Sequence, residues 1–328
     1  MHSLPAGLLD LAESQRGVFT SSQAFRAGLT KDAIRAGLDG GHWQRIHRGV
    51  FAAFSGVPGR EPLLWAAVLR AGPWATLSYQ TAAELNGLTR KPSQLIHVTV
   101  PGSRRLEPIP GVVVHRSERI RAARHPAASP PRTRVEETVL DLTDTARTFD
   151  DALGWACAAC RGRLTTPGLL QDAMSDRARL RFREALELAL GDIAEGVHTV
   201  LEFRYLSDVE RLHGLPRAVR QCRVVRGTRH EYRDILYRRY LVAVETDGRL
   251  AHLPETRWAD VRRDNAAAAD GIITLRYSWS DVTQRPCSVA GEVGAVLSQR
   301  GWTGRLRCCG PGCGLRRPAA VTANDACA

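Results

Sequence analysis

Four carboxylates, Glu202, Asp234, Glu245 and Asp247, are the side chains best spaced in this sequence to do chemistry together. They fall in and just before the run YRDILYRRYLVAVETD, residues 232 to 247. Tyr240 to Thr246 is an apolar, valine-containing stretch closed by Asp247-Gly248, the pattern of a central strand running into a turn. Side chains alternate along a strand, so Glu245 and Asp247 share one face, and Val242, Val244 and Thr246 the other. His230 to Tyr237 reads as a second strand that carries Asp234 beside Tyr232 and Leu236. If the two strands pair, three carboxylates converge, and such groups repel unless a proton or a cation holds them together. Magnesium, a hard cation, takes oxygen ligands of this kind. Thr199 to His213 reads as an amphipathic helix with Leu201, Tyr205, Val209 and Leu212 at helical spacing, which sets Glu202 beside the apolar stripe. The plainer alternative is that Glu245 and Asp247 end a strand and pair with surrounding arginines.

The elements that must position these groups belong to a chain of 328 residues with formal charge +12 and an isoelectric point of about 9.9. That length accommodates two or three domains, each with its own core. Lysine occurs only at Lys31 and Lys91, so arginine carries the excess positive charge. A basic balance of this kind favours a polyanionic partner, nucleic acid ahead of membrane. Met1-His2-Ser3 leads into a short amphipathic stretch with no apolar core of a signal peptide. Apolar runs such as Leu63 to Leu69 fall far short of the ~20 residues of a membrane span. The expectation is a cytoplasmic protein with reduced thiols. Of its eight cysteines, Cys157 and Cys160 read as small buried helix residues. Cys308, Cys309 and Cys313 cluster in RCCGPGCG. They are either incidental thiols of a flexible tail or metal ligands completed from elsewhere, for example by Cys287.

Taken in order, residues 1–55 read as a winged helix-turn-helix. Leu8 to Ala12 forms a first helix, Ser21 to Ala27 a second, and Gly28-Leu29-Thr30 the turn. Thr30 caps a third helix, Lys31 to Leu38, with Ile34 and Leu38 inward and Lys31 and Arg35 outward. His42 to Ala53 follows as two short strands around His47-Arg48-Gly49. A third helix of this kind enters a major groove, while Arg45, His47 and Arg48 meet phosphates. Residues 56–149 read as a mixed α+β segment, with strands at 96–101 and 111–116 that bring His97 near His115. In it Glu136, Glu137, Asp141 and Asp144 are expected on a solvated helix face. Residues 150–195 read as a helical connector, 196–295 as the acid-bearing α/β domain, and 296–328 as a basic, disordered tail. The fold class is α+β, multidomain.

Two resemblances extend this reading. The stretch GVFTSSQAFRAGLTKDAIRAGLDGGHWQRIHRGVFAA resembles the N-terminal domain of AbiEi-type antitoxins of type IV toxin–antitoxin systems, and residues 56–145 continue that likeness more loosely. It implies operator binding, with Lys31, Arg35, Arg45 and Arg48 on DNA, and a partner toxin; a homodimer is also open. The second runs from Glu202 through Asp234, Glu245, Asp247-Gly248 and His252, then a helix with Arg262, Arg263 and Asp264, to the strand GIITLRY at 271–277. It resembles the PD-(D/E)XK nucleases, and within them the relatives of very-short-patch repair endonucleases. That resemblance implies a C-terminal restriction-endonuclease-like fold and metal-dependent phosphodiester hydrolysis. Asp234, Glu245 and Asp247 would hold magnesium or manganese, Glu202 would assist, and His252 would move a proton. Arg257, Arg262 and Arg263 would contact phosphates or pair with Glu255, Asp260 and Asp264. The departure is the third motif position, where those nucleases carry lysine and this chain carries Asp247, with no lysine after Lys91. The expectation is a DNA-binding protein with an endonuclease-like domain; the alternative is a non-enzymatic regulator or antitoxin on a degenerate nuclease fold.

Overall fold

The computed structural model describes residues 4–226, 229–247 and 254–316. The chain is mixed α/β and divides into two compact units, residues 1–186 and 187–328.

The first unit opens with α1 (Ala6–Ser14), β1 (Val18–Thr20), α2 (Ser21–Arg26), α3 (Lys31–Asp39), β2 (Gln44–His47) and β3 (Val50–Ala52). Local chemistry sets these boundaries. Thr20 and Gln23 form a reciprocal capping box that starts α2, and the Thr30 hydroxyl accepts the Ala33 N–H at 3.1 Å to start α3. Each cap satisfies backbone donors that a helix start leaves without a partner. Gly28, at φ +86°, and Gly49, at φ +75°, take the left-handed conformations of the turn between α2 and α3 and of the hairpin, which glycine adopts without steric cost. The small sheet has the order β1-β3-β2, so the helix-turn-helix expectation holds, with β1 added. Leu8, Ala12, Phe19, Ala24, Ile34, Trp43 and Phe51 share one buried cluster. Within it Trp43 meets Phe19 edge-on at 5.4 Å and covers Gly37 so closely that a Cβ there would lie 2.5 Å from the indole.

The rest of this unit comprises α4 (Arg60–Ala71), β4 (Thr76–Leu77), α5 (Tyr79–Leu85), β5 (Ile96–Val100), β6 (Val112–Arg116), α6 (Ile120–Ala123), α7 (Val135–Thr145), α8 (Phe149–Arg161) and α9 (Pro167–Ser175). Strands β4 and β5 pair antiparallel and β5 and β6 parallel. The parallel register sets His97 opposite Val113 and His115 opposite Thr99, so the two histidines are diagonal neighbours on one face, with His97 Nδ1 3.0 Å from His115 Nε2. The acids of α7 depart from expectation. Glu137 is 1% exposed and paired with Arg119 at 3.0 Å and Arg177 at 2.5 Å, and Asp141 pairs with Arg177 at 2.7 Å. Part of the helix face read as solvated is thus an ion network, because α9 and the segment after it close over Glu137 and Asp141 with Arg177; Asp144 is exposed, as expected. Within residues 150–195, α8 packs on α7, and α10 (Arg183–Ala194) runs across residue 186, where the two units divide. Cys157 is buried on α8, as its small side chain suggested.

The second unit contains α11 (Val200–Arg204), which continues as a π-helical segment over Tyr205–Arg211, then β7 (Val219–Arg226), β8 (Arg229–Tyr237), β9 (Val242–Asp247), α12 (Pro254–Ala269), β10 (Ile273–Ser278), α13 (Trp279–Gln284) and α14 (Pro286–Gln299). The sheet order is β10-β9-β8-β7. Strands β9 and β10 run parallel across the α12 crossover, and the other pairs are antiparallel. One face buries Ile235, Tyr237, Val242 and Val244 against Leu201, Tyr205 and Val209 and against Val289 and Val293. The other buries Cys222, Leu236 and Ala243. The alternation read from the sequence is therefore the alternation between two packed faces.

Two features of this unit differ from expectation. Leu212 is 51% exposed and His213 fully buried, because the i→i+5 pattern of the π segment widens the turn and moves the inward position one residue on. The expectation over residues 296–328 is a disordered tail, yet residues 296–299 end α14. Trp302 and Leu306 pack on the core, and the Arg307 N–H donates to the His213 carbonyl at 2.8 Å.

Candidate functional site

Two sites come from the sequence, one in each unit. In the first, Lys31 and Arg35 are exposed on α3, and Arg45 and Arg48 are exposed on the β2–β3 hairpin. The cap at Thr30 and the burial of Ile34 and Gly37 fix which side of α3 faces out. Arg45 lies over the Phe51 ring at 5.8 Å, and Arg48 pairs with an exposed carboxylate, Glu107, at 3.6 Å. A solvated pair of that kind holds its arginine weakly, so the guanidinium can exchange it for a phosphate. Burial, and then the charge of Arg70, lower the pKa of His47 and so favour its neutral form.

In the second unit the structure gathers Glu202, Asp234 and Glu245 around one end of the sheet. Glu202 is 3% exposed. It accepts the His198 N–H at 2.9 Å, the Thr199 hydroxyl at 3.1 Å and the Gln221 amide at 3.3 Å. Burial, and secondarily the Asp234 carboxylate, still push it up to about 7. Glu245 is also driven to about 7 by burial and then by Asp234, against the opposing charges of Arg233 and Arg276. Asp234 accepts the Thr246 N–H at 3.2 Å. Gln221 reaches Glu202 from β7 at a residue with φ +47°, where the regular pairing of β7 with β8 skips a position.

Two arginines enter this acidic group that sequence reasoning did not single out. Arg233, 1% exposed, places Nη1 3.4 Å from Glu245. Arg276, opposite Glu245 on β10, grips Asp264 of α12 with two hydrogen bonds of 2.9 and 3.0 Å. Their only local sign was a basic residue next to, or in register with, an acid. Neighbouring Glu210 was also missed: it is buried between Arg220, at 3.2 Å, and the Tyr237 hydroxyl, at 3.3 Å.

Of the remaining expected site residues, Asp247 ends β9 opposite Ser278, and Arg262 is exposed on α12. Arg257 and Arg263 belong to α12. The side chains of Asp247, Arg257 and Arg263 lie outside the described residues, as does His252. The all-oxygen donor set of Asp234 and Glu245 suits a hard divalent cation; the upward shifts of Glu202 and Glu245 come first from burial and then from the Asp234 charge, and a bound ion would oppose both. Among the described residues, however, the group of potential ligand atoms within 4.8 Å of one another is a different one, His213 with Cys287, Cys309 and Cys313.

Residues 8–53, the helix-turn-helix with its hairpin, match the family described as transcriptional regulator, AbiEi antitoxin. Comparison with curated proteins gives no match. Among solved structures, the crystal structure of the RV2827C protein from Mycobacterium tuberculosis aligns at 17% identity and a TM-score of 0.36, over 52% of this chain and 70% of that one. A likeness that distant carries no argument here. The likeness to that regulator family covers the N-terminal helix-turn-helix, residues 8–53, and not the rest of the chain. Among the described residues no helix is long and apolar enough to cross a membrane.

Proposed function

We propose that this protein is a DNA-binding transcriptional regulator of the antitoxin type, in which α3 enters the major groove and the β2–β3 hairpin follows the phosphate backbone. The observation that supports this most directly is the exposure of Lys31, Arg35, Arg45 and Arg48 on a helix-turn-helix whose residues match that regulator family. On this reading Arg35 offers the bidentate fork that recognises a guanine edge, and Arg45 and Arg48 supply counterion-releasing phosphate contacts. A toxin partner fits the same reading. The test is fluorescence anisotropy with duplexes selected from random sequence by the purified protein, read across a salt series. Arg35→Ala is expected to weaken binding by about 1–3 kcal/mol and relax preference at one base pair, and Arg48→Ala to weaken all duplexes alike and lower the salt slope by about 1. Unchanged affinity in both variants would remove α3 and the hairpin from the interface.

A second reading, that the 187–328 unit has a restriction-endonuclease-like fold and cleaves phosphodiesters, is favoured by the electrostatic coupling of Glu202, Asp234 and Glu245. Asp234 and Glu245, with Asp247 and Glu202 in support, would hold magnesium or manganese. The ion would supply Lewis-acid activation of water. Against it stand the Arg233–Glu245 pair, which commits one ligand, and the absence of a lysine after Lys91. Incubating the same duplexes and supercoiled plasmid with magnesium or manganese, beside Glu245→Ala, separates the readings. Cleavage lost in the variant establishes the nuclease, and salt-sensitive binding without cleavage leaves the regulator alone.

A further inference from the structure

The side chains of His213, Cys287, Cys309 and Cys313 come from three separate parts of the second unit: the end of the π-helical segment, the first turn of α14, and the loop GPG that follows Cys309. We propose that they form a zinc site of Cys3His type that pins the C-terminal segment to the core, independently of the acidic group on the sheet.

The geometry is that of an incipient tetrahedron. The Cys287 Sγ lies 3.6 Å from the Cys309 Sγ and 3.8 Å from the Cys313 Sγ, and the Cys313 Sγ lies 3.9 Å from the His213 Nε2. All four ligand atoms fall within 4.8 Å of one another. Zinc–sulfur bonds of about 2.3 Å at tetrahedral angles put neighbouring ligand atoms about 3.8 Å apart, slightly less where nitrogen replaces sulfur. The three distances therefore bracket the edge of a zinc tetrahedron. They are far too long for disulfides, which need about 2.05 Å, and all three cysteines are free thiols.

The histidine is already oriented as a ligand. Its Nδ1 lies 3.2 Å from the Val209 carbonyl. A neutral imidazole with its proton on Nδ1 donates to that oxygen and turns the Nε2 lone pair toward the thiols, which is how outer hydrogen bonds set the tautomer of zinc-bound histidine. The π-helical turn makes this possible, since it is what brings His213 rather than Leu212 inward. Three thiolates and an imidazole are soft and borderline donors that prefer zinc to magnesium. The set is complete at four, with His213 and Cys313 buried and Cys309 at the rim, as in sites that hold structure rather than open a coordination position to substrate.

The segment it would hold needs support. Residues 301–313 contain no helix or strand, and ordering irregular backbone costs about 1–2 kcal/mol per residue. Packing of Trp302 and Leu306 and the Arg307–His213 backbone hydrogen bond offset part of that cost; a metal that ties Cys309 and Cys313 to His213 and Cys287 offsets more. Binding releases the three thiol protons to solvent as the thiolates take up the ion.

The test uses full-length protein purified under reducing conditions. Elemental analysis is expected to find one zinc per chain, and exchange with cobalt(II) to give the intense visible bands and thiolate charge-transfer absorption of a tetrahedral centre. Cys309→Ser and Cys313→Ser should lose the metal, whereas Cys308→Ser, beside the site in sequence but outside the cluster, and Glu245→Ala should retain it. Because a site variant can also misfold, the cobalt spectrum of the unaltered protein decides. Weak bands of an octahedral cobalt ion, or folded reduced protein that takes up no zinc, would overturn the proposal. Loss of zinc in Cys308→Ser equal to that in Cys309→Ser would do the same.

Discussion

Glu202 and Glu245 show how a residue of ordinary type acquires unusual behaviour from its surroundings. Each is buried at the sheet end and raised to about 7 from 4.5. A carboxyl whose folded pKa exceeds its unfolded value binds its proton more tightly in the folded state. The associated stability is complete below about pH 4.5 and is lost as pH rises through about 7. Urea unfolding followed between about pH 5 and about pH 8 should therefore show falling stability of the second unit, with a shallower slope in Glu245→Gln. Added magnesium that restores stability at the alkaline end would support the cation reading of the acidic group. Arg177 is the corresponding test in the first unit. Its removal leaves Glu137 buried with one arginine instead of two, and breaking a buried pair costs about 3–5 kcal/mol. Arg177→Ala should lower the unfolding free energy of that unit, read from urea unfolding, by about 3 kcal/mol, the lower end of that range, because Arg119 remains.

Among the elements, α3 joins sequence-legible design to a contact that only packing reveals. Its start at Thr30 and its outward basic face follow from capping and periodicity. The closeness of Trp43 to Gly37 does not; it comes from the turn that ends α3, where the Trp43 N–H donates to the Gly37 carbonyl at 3.0 Å. Gly37→Ala gains about 1 kcal/mol of helix propensity, but the new methyl would meet the indole at 2.5 Å. Overpacking of that kind costs about 1–3 kcal/mol, so the net effect is expected to be destabilising. Thermal unfolding of the variant, with its DNA affinity, checks this; a raised melting temperature would show that Trp43 can move aside. The π-helical segment makes the converse point. Helical spacing named Leu201, Tyr205 and Val209 as inward, and all three are buried. The same rule then named Leu212, because nothing in the sequence announces a widened turn.

For the whole molecule, two compact units have separate cores. Calorimetry is expected to resolve two transitions, and a zinc chelator to lower only the one belonging to residues 187–328. One transition, or equal shifts in both, would show that the units unfold together. The charge of +12 bears on nucleic-acid affinity and its salt dependence rather than on fold.

The amino-acid sequence by itself determined the helix-turn-helix, the strand that carries Glu245, and the place of Asp234 on its neighbour. Caps, turns and alternation act within a few residues, so their signals are written locally. Only the tertiary structure decided that Glu137 is buried, that Arg233 reaches Glu245, and that His213 meets three cysteines, the last of them 100 residues away. Those meetings depend on which faces bury together and on a helix that widens by one residue in its turn. No local pattern encodes either, because both are settled by the packing of elements distant along the chain.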